Sequence, residues 1–153
     1  MISVKKVNND RDLHKAFEIR TKVFVDEQMV PAEEELDEFE SESNHFLAFE
    51  DAQNNIPCGT ARWRHTDKGI KLERFAVIAE FRSQGVGTAL MEAVMKDIYS
   101  NHHTQNMQLY LHAQISAVSL YAKFGFSVTG KEFDECGITH LKMISKVDQT
   151  AKA

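Results

Sequence analysis

The chain has 153 residues, a formal net charge of −5, 42% apolar residues and two cysteines, Cys58 and Cys136. That length and apolar share support one domain with its own core, and the negative balance argues against a general nucleic-acid binder, which needs a basic surface. No window is long and apolar enough to span a membrane, two distant cysteines make neither a disulfide framework nor a thiolate zinc site, and the N-terminus lacks the basic, apolar, small-residue order of a secretion signal, so a cytoplasmic protein without a metal site is expected.

In chain order, Ile2, Val4 and Val7 form a short first strand. Asn8-Asn9-Asp10 interrupts it and offers a helix cap. Leu13, Ala16, Phe17, Arg20, Val23 and Phe24 then fall on helical spacing, which predicts a helix from Asp10 to Phe24. Ala32–Glu40 follows Pro31, a residue suited to a first helical turn, and its glutamates complement the helix dipole. This acidic run has two readings: a solvated helix face, or carboxylates rimming a pocket for a cationic amine, with Leu36 and Phe39 anchoring the segment. His45–Glu50 and Cys58–Arg64 are strands separated by turn residues 51–57, and Thr66–Gly69 turns into a third strand, giving an antiparallel meander. Arg62 and Arg64 alternate with Ala61 and Trp63 and so share one face, where they are either solvated or serve a ligand.

The meander leads into a central strand, Leu72-Glu73-Arg74-Phe75-Ala76-Val77-Ile78. A turn marked by Gly85 and Gly87 follows, then a helix on which Val86, Ala89, Leu90, Ala93, Val94 and Ile98 recur three and four apart. A helix N-terminus offers unpaired N–H groups and partial positive charge, and glycine lets backbone approach a ligand closely. The stretch is a candidate cradle for phosphate or pyrophosphate, although the glycines alone fit a plain turn equally well. Arg82-x-x-Gly85-x-Gly87 is not a P-loop, because no Gly-Lys-Ser/Thr follows, nor the three-glycine dinucleotide fingerprint.

Beyond this helix, residues 101–106 read as a polar surface loop, with His102 and His103 lacking partners for a metal. Met107–Ala113 is a strand joined to the central one by a right-handed crossover, hence parallel to it. Ser116–Phe124 is a helix stopped by Gly125, Phe126–Val128 a strand, and Ile138–Ile144 a last strand, exposed and available for pairing across a homodimer. A single domain over 1–146 and a polar, frayed tail over 147–153 are expected.

Arg82-x-x-Gly85-x-Gly87 behind a strand resembles the acetyl-CoA-binding signature of the GNAT superfamily of N-acetyltransferases. Ala117-Val118-Ser119-Leu120-Tyr121-Ala122-Lys123-Phe124-Gly125-Phe126 resembles the family's second pattern, with Gln114 where many members carry Asn. Two motifs about thirty residues apart, joined by the right elements, are more specific than either one, and the likeness runs from Ile2 to Ile144. Arg20-x-x-Val23-Phe24-Val25-x-Glu27-Gln28, with Glu35, Asp37 and His45 downstream, resembles a subset of bacterial members of largely unassigned substrate.

The resemblance implies an α/β (α+β) fold with a mixed, mostly antiparallel sheet of six to seven strands flanked by about four helices. It implies acetyl-CoA as cosubstrate, its pyrophosphate on the backbone N–H groups of Arg82, Ser83, Gln84, Gly85, Val86, Gly87 and Thr88, with charge from the Arg82 side chain and a contact from Gln114. The pantetheine amides would pair with the backbone at Phe75 and Val77 like an added strand, which needs the two parallel strands to splay apart.

Acetyl transfer to an amine makes three physical demands. An ammonium, with a pKa near ~10, must lose a proton. Glu73 is the first candidate base, its pKa raised by burial; its alternative role is an ion pair with Arg74 or Arg62, and His112 is the second candidate. A backbone N–H among Phe75, Ala76 and Val77 would donate to the oxyanion. Tyr121, which the family places near the CoA sulfur, would protonate the leaving thiolate; its alternative role is core packing. No cysteine lies in either motif, which favours direct transfer in a ternary complex over an acetyl-enzyme. The acceptor is expected to be a primary amine of a small molecule or peptide, in a pocket shaped by residues 23–39 and 133–140. The competing expectation is a CoA-binding regulatory or interaction module without turnover; an acyl-carrier-protein donor would need a basic docking patch that the sequence lacks.

Overall fold

Alternation along the strands assigns each side chain to one of two faces, and the sheet follows from it. The computed structural model describes residues 1–51, 55–101, 104 and 106–146; His102, His103 and the tail 147–153 lie outside the described residues. Seven strands, β1 (Ile2–Lys6), β2 (Asn44–Glu50), β3 (Ile56–Thr66), β4 (Gly69–Val77), β5 (Gln108–Gln114), β6 (Ser127–Glu135) and β7 (Ile138–Lys146), pair in the order β1-β2-β3-β4-β5-β7-β6. β4 and β5 are parallel and all other neighbours antiparallel. Four helices flank the sheet: α1 (Asp10–Arg20), α2 (Ala32–Glu35), α3 (Val86–Ser100) and α4 (Val118–Ala122). This is the mixed, mostly antiparallel α/β fold implied by the resemblance. Among the described residues no helix is long and apolar enough to cross a membrane.

One face of the sheet belongs to α3. Its Val86, Leu90, Met91, Val94 and Ile98 are buried, each apolar side chain contributing about 1.5–3 kcal/mol by leaving water. Trp63 of β3 is fully buried on this face, and its indole N–H donates to Asp97 Oδ2 of α3 at 3.0 Å. Gly59 lies two pairs further along β3, where an added Cβ would stand 2.7 Å from Val86 Cγ1 and 3.1 Å from Leu90 Cδ1. Close helix–sheet packing therefore requires glycine there.

The other face carries α1 and the acidic segment. Asn9 caps α1 as its composition indicates, accepting the Asp12 N–H at 2.9 Å. The expected helix end at Phe24 is replaced by a widening: residues Thr21–Glu27 continue as a π-helical turn, with Gln28 N–H donating to Val23 O and Val30 N–H to Phe24 O. The expected helix over Ala32–Glu40 is one turn only, because Leu36 is extended and the chain then turns through Asp37. Leu36 is not an anchor; it is 48% exposed.

Glu34, Glu35 and Asp37 of the acidic run do line a cavity, but the run's main contacts are with two buried arginines. Arg20 and Arg62 are each 1% exposed, and the run supplies their carboxylates. Arg20 donates to Glu35 Oε1 at 2.7 Å and to both Glu40 oxygens at 2.9 and 2.7 Å. Arg62 donates to Asp37 Oδ1 and Oδ2 at 3.0 and 2.7 Å and to Glu40 Oε1 at 2.7 Å. A buried guanidinium without such partners would be prohibitively costly. Arg62 and Arg64 do share a face, but Arg62 is an interior ion rather than a solvated one. Burial pushes the Asp37 and Glu40 carboxyls up, yet the arginines outweigh it and bring both down to about 2, from ordinary values of 3.8 and 4.5.

Two expectations for the C-terminal third are corrected. The strand expected over Phe126–Val128 extends to Glu135, with a bulge between Thr129 and Phe133 around Gly130, whose φ is +77°. The last strand is not an edge: β7 lies between β5 and β6, and the edges are β1 and β6. The β6–β7 hairpin turns through Cys136 and Gly137, at φ +52° and +81°, the left-handed pair that a two-residue loop demands.

Three outcomes follow from this packing. Removing one partner of a buried ion pair costs about 3–5 kcal/mol, so Arg20→Met is expected to lower the urea-unfolding free energy by that amount. Gly59→Val is expected to cost about 1–3 kcal/mol through overpacking, read in the same titration. The folded-state values of Asp37 and Glu40 lie below their ordinary ones, so their contribution is fully present above pH 4.5 and is lost as pH falls toward 2; the urea midpoint is expected to drop across that window.

Candidate functional site

The ladder between the parallel strands is short. Ile70, Lys71 and Leu72 pair with Leu109, Tyr110 and Leu111, and the register stops there. Beyond Leu72, β4 carries a bulge against β3: Arg62 pairs with Glu73 but Thr60 with Ala76, and Arg74 in between has φ +58°. Ile78 N–H donates to Cys58 O of β3 at 2.9 Å; by alternation Ala76 also faces β3, whereas the backbone of Phe75 and Val77 faces the gap. β4 thus offers an open edge above the point where β5 diverges. A cavity of about 900 Å³ occupies this splay and is lined by Phe75, Ala76, Val77, Tyr121, His112 and Gln114 among others.

The glycine turn closes one end of the cavity. Gly85 caps α3 with φ +85°, and an added Cβ there would meet nothing within 4 Å. Gly87 faces α4, its virtual Cβ 3.1 Å from Leu120 Cδ2. Among the described residues, the N–H groups of residues 83–88 donate to no backbone carbonyl, so the cradle's donors are free. The Arg82 N–H is not one of them, because it donates to Ala79 O at 3.3 Å. Arg82, Ser83 and Gly87 line the cavity; Gln84, Gly85, Val86 and Thr88 do not, Val86 being in the core.

Two side chains expected to meet the cosubstrate are already engaged. Arg82 donates through Nε to Val77 O at 3.0 Å and through its two terminal nitrogens to both Glu27 oxygens. Gln114 and Gln28 exchange amide hydrogen bonds at 2.9 and 3.4 Å. The π-helical turn presents Glu27 and Gln28 to these partners, so the motif residues whose role the sequence left open are the ones that span the cleft.

Leu111 pairs with Leu72 on the α3 side of the sheet, so His112 and Gln114 point to the opposite side, as does Glu73. The expected raised pKa of Glu73 is corrected. Burial does push its carboxyl up, but Arg62, Lys71 and Arg64 outweigh this and hold it below the ordinary carboxylate range. Its Oε2 lies 2.6 Å from Arg62 Nη2 and 2.6 Å from Arg64 Nε, and its Oε1 3.3 Å from Lys71 Nζ. The ion pair with Arg62 is thus present, whereas Arg74 pairs with Asp37 at 3.2 Å.

Tyr121 is buried at the α3 side of the splay, edge-on to Phe75 with ring centroids 5.7 Å apart. Burial alone pushes its hydroxyl up, which keeps it protonated. Opposite, His112 Nδ1 lies 3.1 Å from Glu135 Oε1, and His140 Nε2 3.7 Å from Glu135 Oε2. Glu135 and His140 line the cavity with His112. Glu135 lies in the 133–140 segment expected to shape the pocket, but the sequence singled out no role for it because its strand is mostly polar; the signal available was its place directly before the Cys136-Gly137 turn. Among the described residues no group of three or more His, Cys, Asp or Glu is arranged to hold a metal ion.

The chain resembles known proteins in sequence and in fold. A family model described as "Acetyltransferase (GNAT) domain" covers residues 6–147. The uncharacterized N-acetyltransferase YjcF of Bacillus subtilis is 42% identical over 137 residues, 89% of this chain and 94% of that protein. The crystal structure of Escherichia coli ElaA aligns with a TM-score of 0.79 at 25% identity, over 94% of this chain and 99% of the other. An acyl-CoA N-acyltransferase from Pseudomonas aeruginosa aligns with a TM-score of 0.77 at 23% identity, over 94% and 97%, a likeness of fold. With the family model running almost end to end and YjcF so close along nearly its whole length, the chain belongs to the GNAT family of acetyltransferases.

Proposed function

We propose that the protein transfers the acetyl group of acetyl-CoA directly to a primary amine of a small molecule or peptide, with both substrates bound together, in the cytoplasm. The observation that carries this reading is that the open edge of β4, the glycine turn with Ser83 and Gly87, whose N–H groups are free, and the protonated Tyr121 border one cavity around the splay.

In this reading each part of the chain has one task. Backbone N–H groups of residues 83–88 hold the pyrophosphate at the positive end of α3. The backbone of Phe75 and Val77 receives the pantetheine arm as an added strand; Arg82 takes one lone pair of the Val77 carbonyl, and the other remains for the arm. An N–H of β4 donates to the thioester carbonyl oxygen as charge develops on it. Tyr121 gives its proton to the departing sulfur. Glu73 stays ionised amid its three cations and serves as fixed charge on the acceptor side rather than as a proton carrier. Both cysteines are free, Cys58 buried and Cys136 exposed, and neither is given a covalent role.

Isothermal titration with acetyl-CoA tests the cradle. Gly85→Val forces a β-branched residue into a left-handed position with open space around it, so the variant is expected to stay folded and to lose micromolar binding; unchanged binding would refute the cradle. Tyr121→Phe is expected to bind acetyl-CoA as the wild type does while thiol release with an amine panel falls ~10²-fold or more, the usual effect of losing a general acid. Binding without turnover in the wild type would favour the regulatory-module reading.

A further inference from the structure

Glu73 is surrounded by Arg62, Arg64 and Lys71, so accepting a proton there would discard three ion pairs. The proton that an incoming ammonium must lose needs another destination in the cavity, and Tyr121, already protonated, cannot take it. Glu35 and Asp37 also line the cavity but are bound to Arg20 and Arg62. Glu34 borders it as well, and its Oε2 receives the Cys136 thiol at 3.3 Å.

His112 differs from all of these. It lines the splay on the acceptor face, its side chain is 25% exposed, and its only hydrogen bond among the described residues is between Nδ1 and Glu135 Oε1 at 3.1 Å. A carboxylate accepts but does not donate. Neutral His112 must therefore carry its hydrogen on Nδ1, which leaves the lone pair on Nε2. Packing fixes the ring: Phe133 lies edge-on to His112 with centroids 5.0 Å apart and stacks on His140 at 5.9 Å. His140 donates its Nδ1–H to Ile138 O at 2.7 Å, so its own tautomer is set and Glu135 remains the partner of His112. The hydrogen bond from His112 holds the Glu135 carboxyl below the ordinary range despite burial.

We propose that His112 is the proton acceptor for the amine substrate and that Glu135 is the positioning residue that sets its tautomer and balances the imidazolium. The proposal rests on the acyl-transfer reading above. The substrate ammonium gives one proton to His112 Nε2, and the freed lone pair attacks the thioester carbonyl carbon. As the C–S bond breaks, the sulfur leaves with the bonding electrons and takes the Tyr121 proton. The new amide nitrogen sheds its surplus proton to the Tyr121 oxygen, and the imidazolium releases its proton to water, so one amide, one thiol and one proton result. Glu135 plays the part of the carboxylate in histidine-based triads, orienting the ring without itself taking the proton.

The test has one arm that needs no acceptor amine. In ¹⁵N NMR of the labelled full chain, with His112 assigned by its loss in His112→Gln, the neutral ring is expected in the Nδ1–H form, and Glu135→Ala is expected to shift it toward the Nε2–H form. An Nε2–H ring in the wild type overturns the proposal. In the second arm, free-thiol release from acetyl-CoA with a panel of primary amines is expected to fall ~10²-fold or more in His112→Gln. Glu135→Ala is expected to lower kcat with the acetyl-CoA affinity unchanged by titration calorimetry, a split that simple unfolding would not produce. A His112→Gln enzyme with wild-type turnover overturns the base assignment while leaving acyl transfer intact. A wild type that binds no acetyl-CoA overturns the acyl-transfer reading itself, and the base assignment with it.

Discussion

Two guanidinium groups sealed from solvent hold the α1 face of this molecule together. Arg20 comes from α1 and Arg62 from β3, and Glu40 bonds to both. Each needs several acceptors once water is removed, and that demand folds the acidic segment inward: Glu35, Asp37 and Glu40 can satisfy them only if the chain breaks its helix after one turn and crosses the sheet face. The same demand reaches the cleft, because Glu73 on β4 is a further ligand of Arg62. His45 belongs to this assembly too, with Nε2 donating to Glu40 O at 2.9 Å, and burial holds its pKa down, so it joins as a neutral donor. A set of residues that looks like a scattered motif in the sequence is one electrostatic unit in the fold.

That unit also explains the division of labour at the splay. On the face opposite α3, Glu73 and His112 flank the opening, one on each parallel strand. Sequence alone favours the glutamate, since burial raises a carboxylate's proton affinity. Three cations reverse the sign. The histidine has one carboxylate partner, Glu135, at its Nδ1, and its Nε2 makes no hydrogen bond among the described residues. The choice is made by the count and placement of neighbours, which come from β3, β4, β6 and β7 and are dispersed along the chain.

Much of the architecture was legible because apolar spacing carries it. Val86, Leu90, Val94 and Ile98 recur with the period of a helix, and Phe46, Ala61, Trp63, Ile70 and Leu72 with that of strands; all are buried. The glycine turn was legible as well, since Gly85 at φ +85° stands where a side chain would be strained. What was not legible lacked a local signal. β6 is an edge strand exposed along most of its length, so no alternation marks it, and within the pocket-shaping segment 133–140 nothing singled out Glu135. The bulge on β4 is carried by Arg74 in a left-handed conformation that no glycine announces. The π-helical turn keeps the apolar spacing of an ordinary helix through Val23 and Phe24, and only tertiary partners for Glu27 and Gln28 distinguish it. The acidic run could not be read because its cations lie on α1 and β3, far away in sequence.

The wide turn over Thr21–Glu27 has one more consequence. Glu27 reaches to Arg82 at the glycine turn, and the very next residue, Gln28, reaches to Gln114 at the end of β5. The two lips of the cleft are therefore tied to adjacent residues of one turn. The apolar side chains on the same turn, Val23 and Phe24, line the cavity between those two contacts.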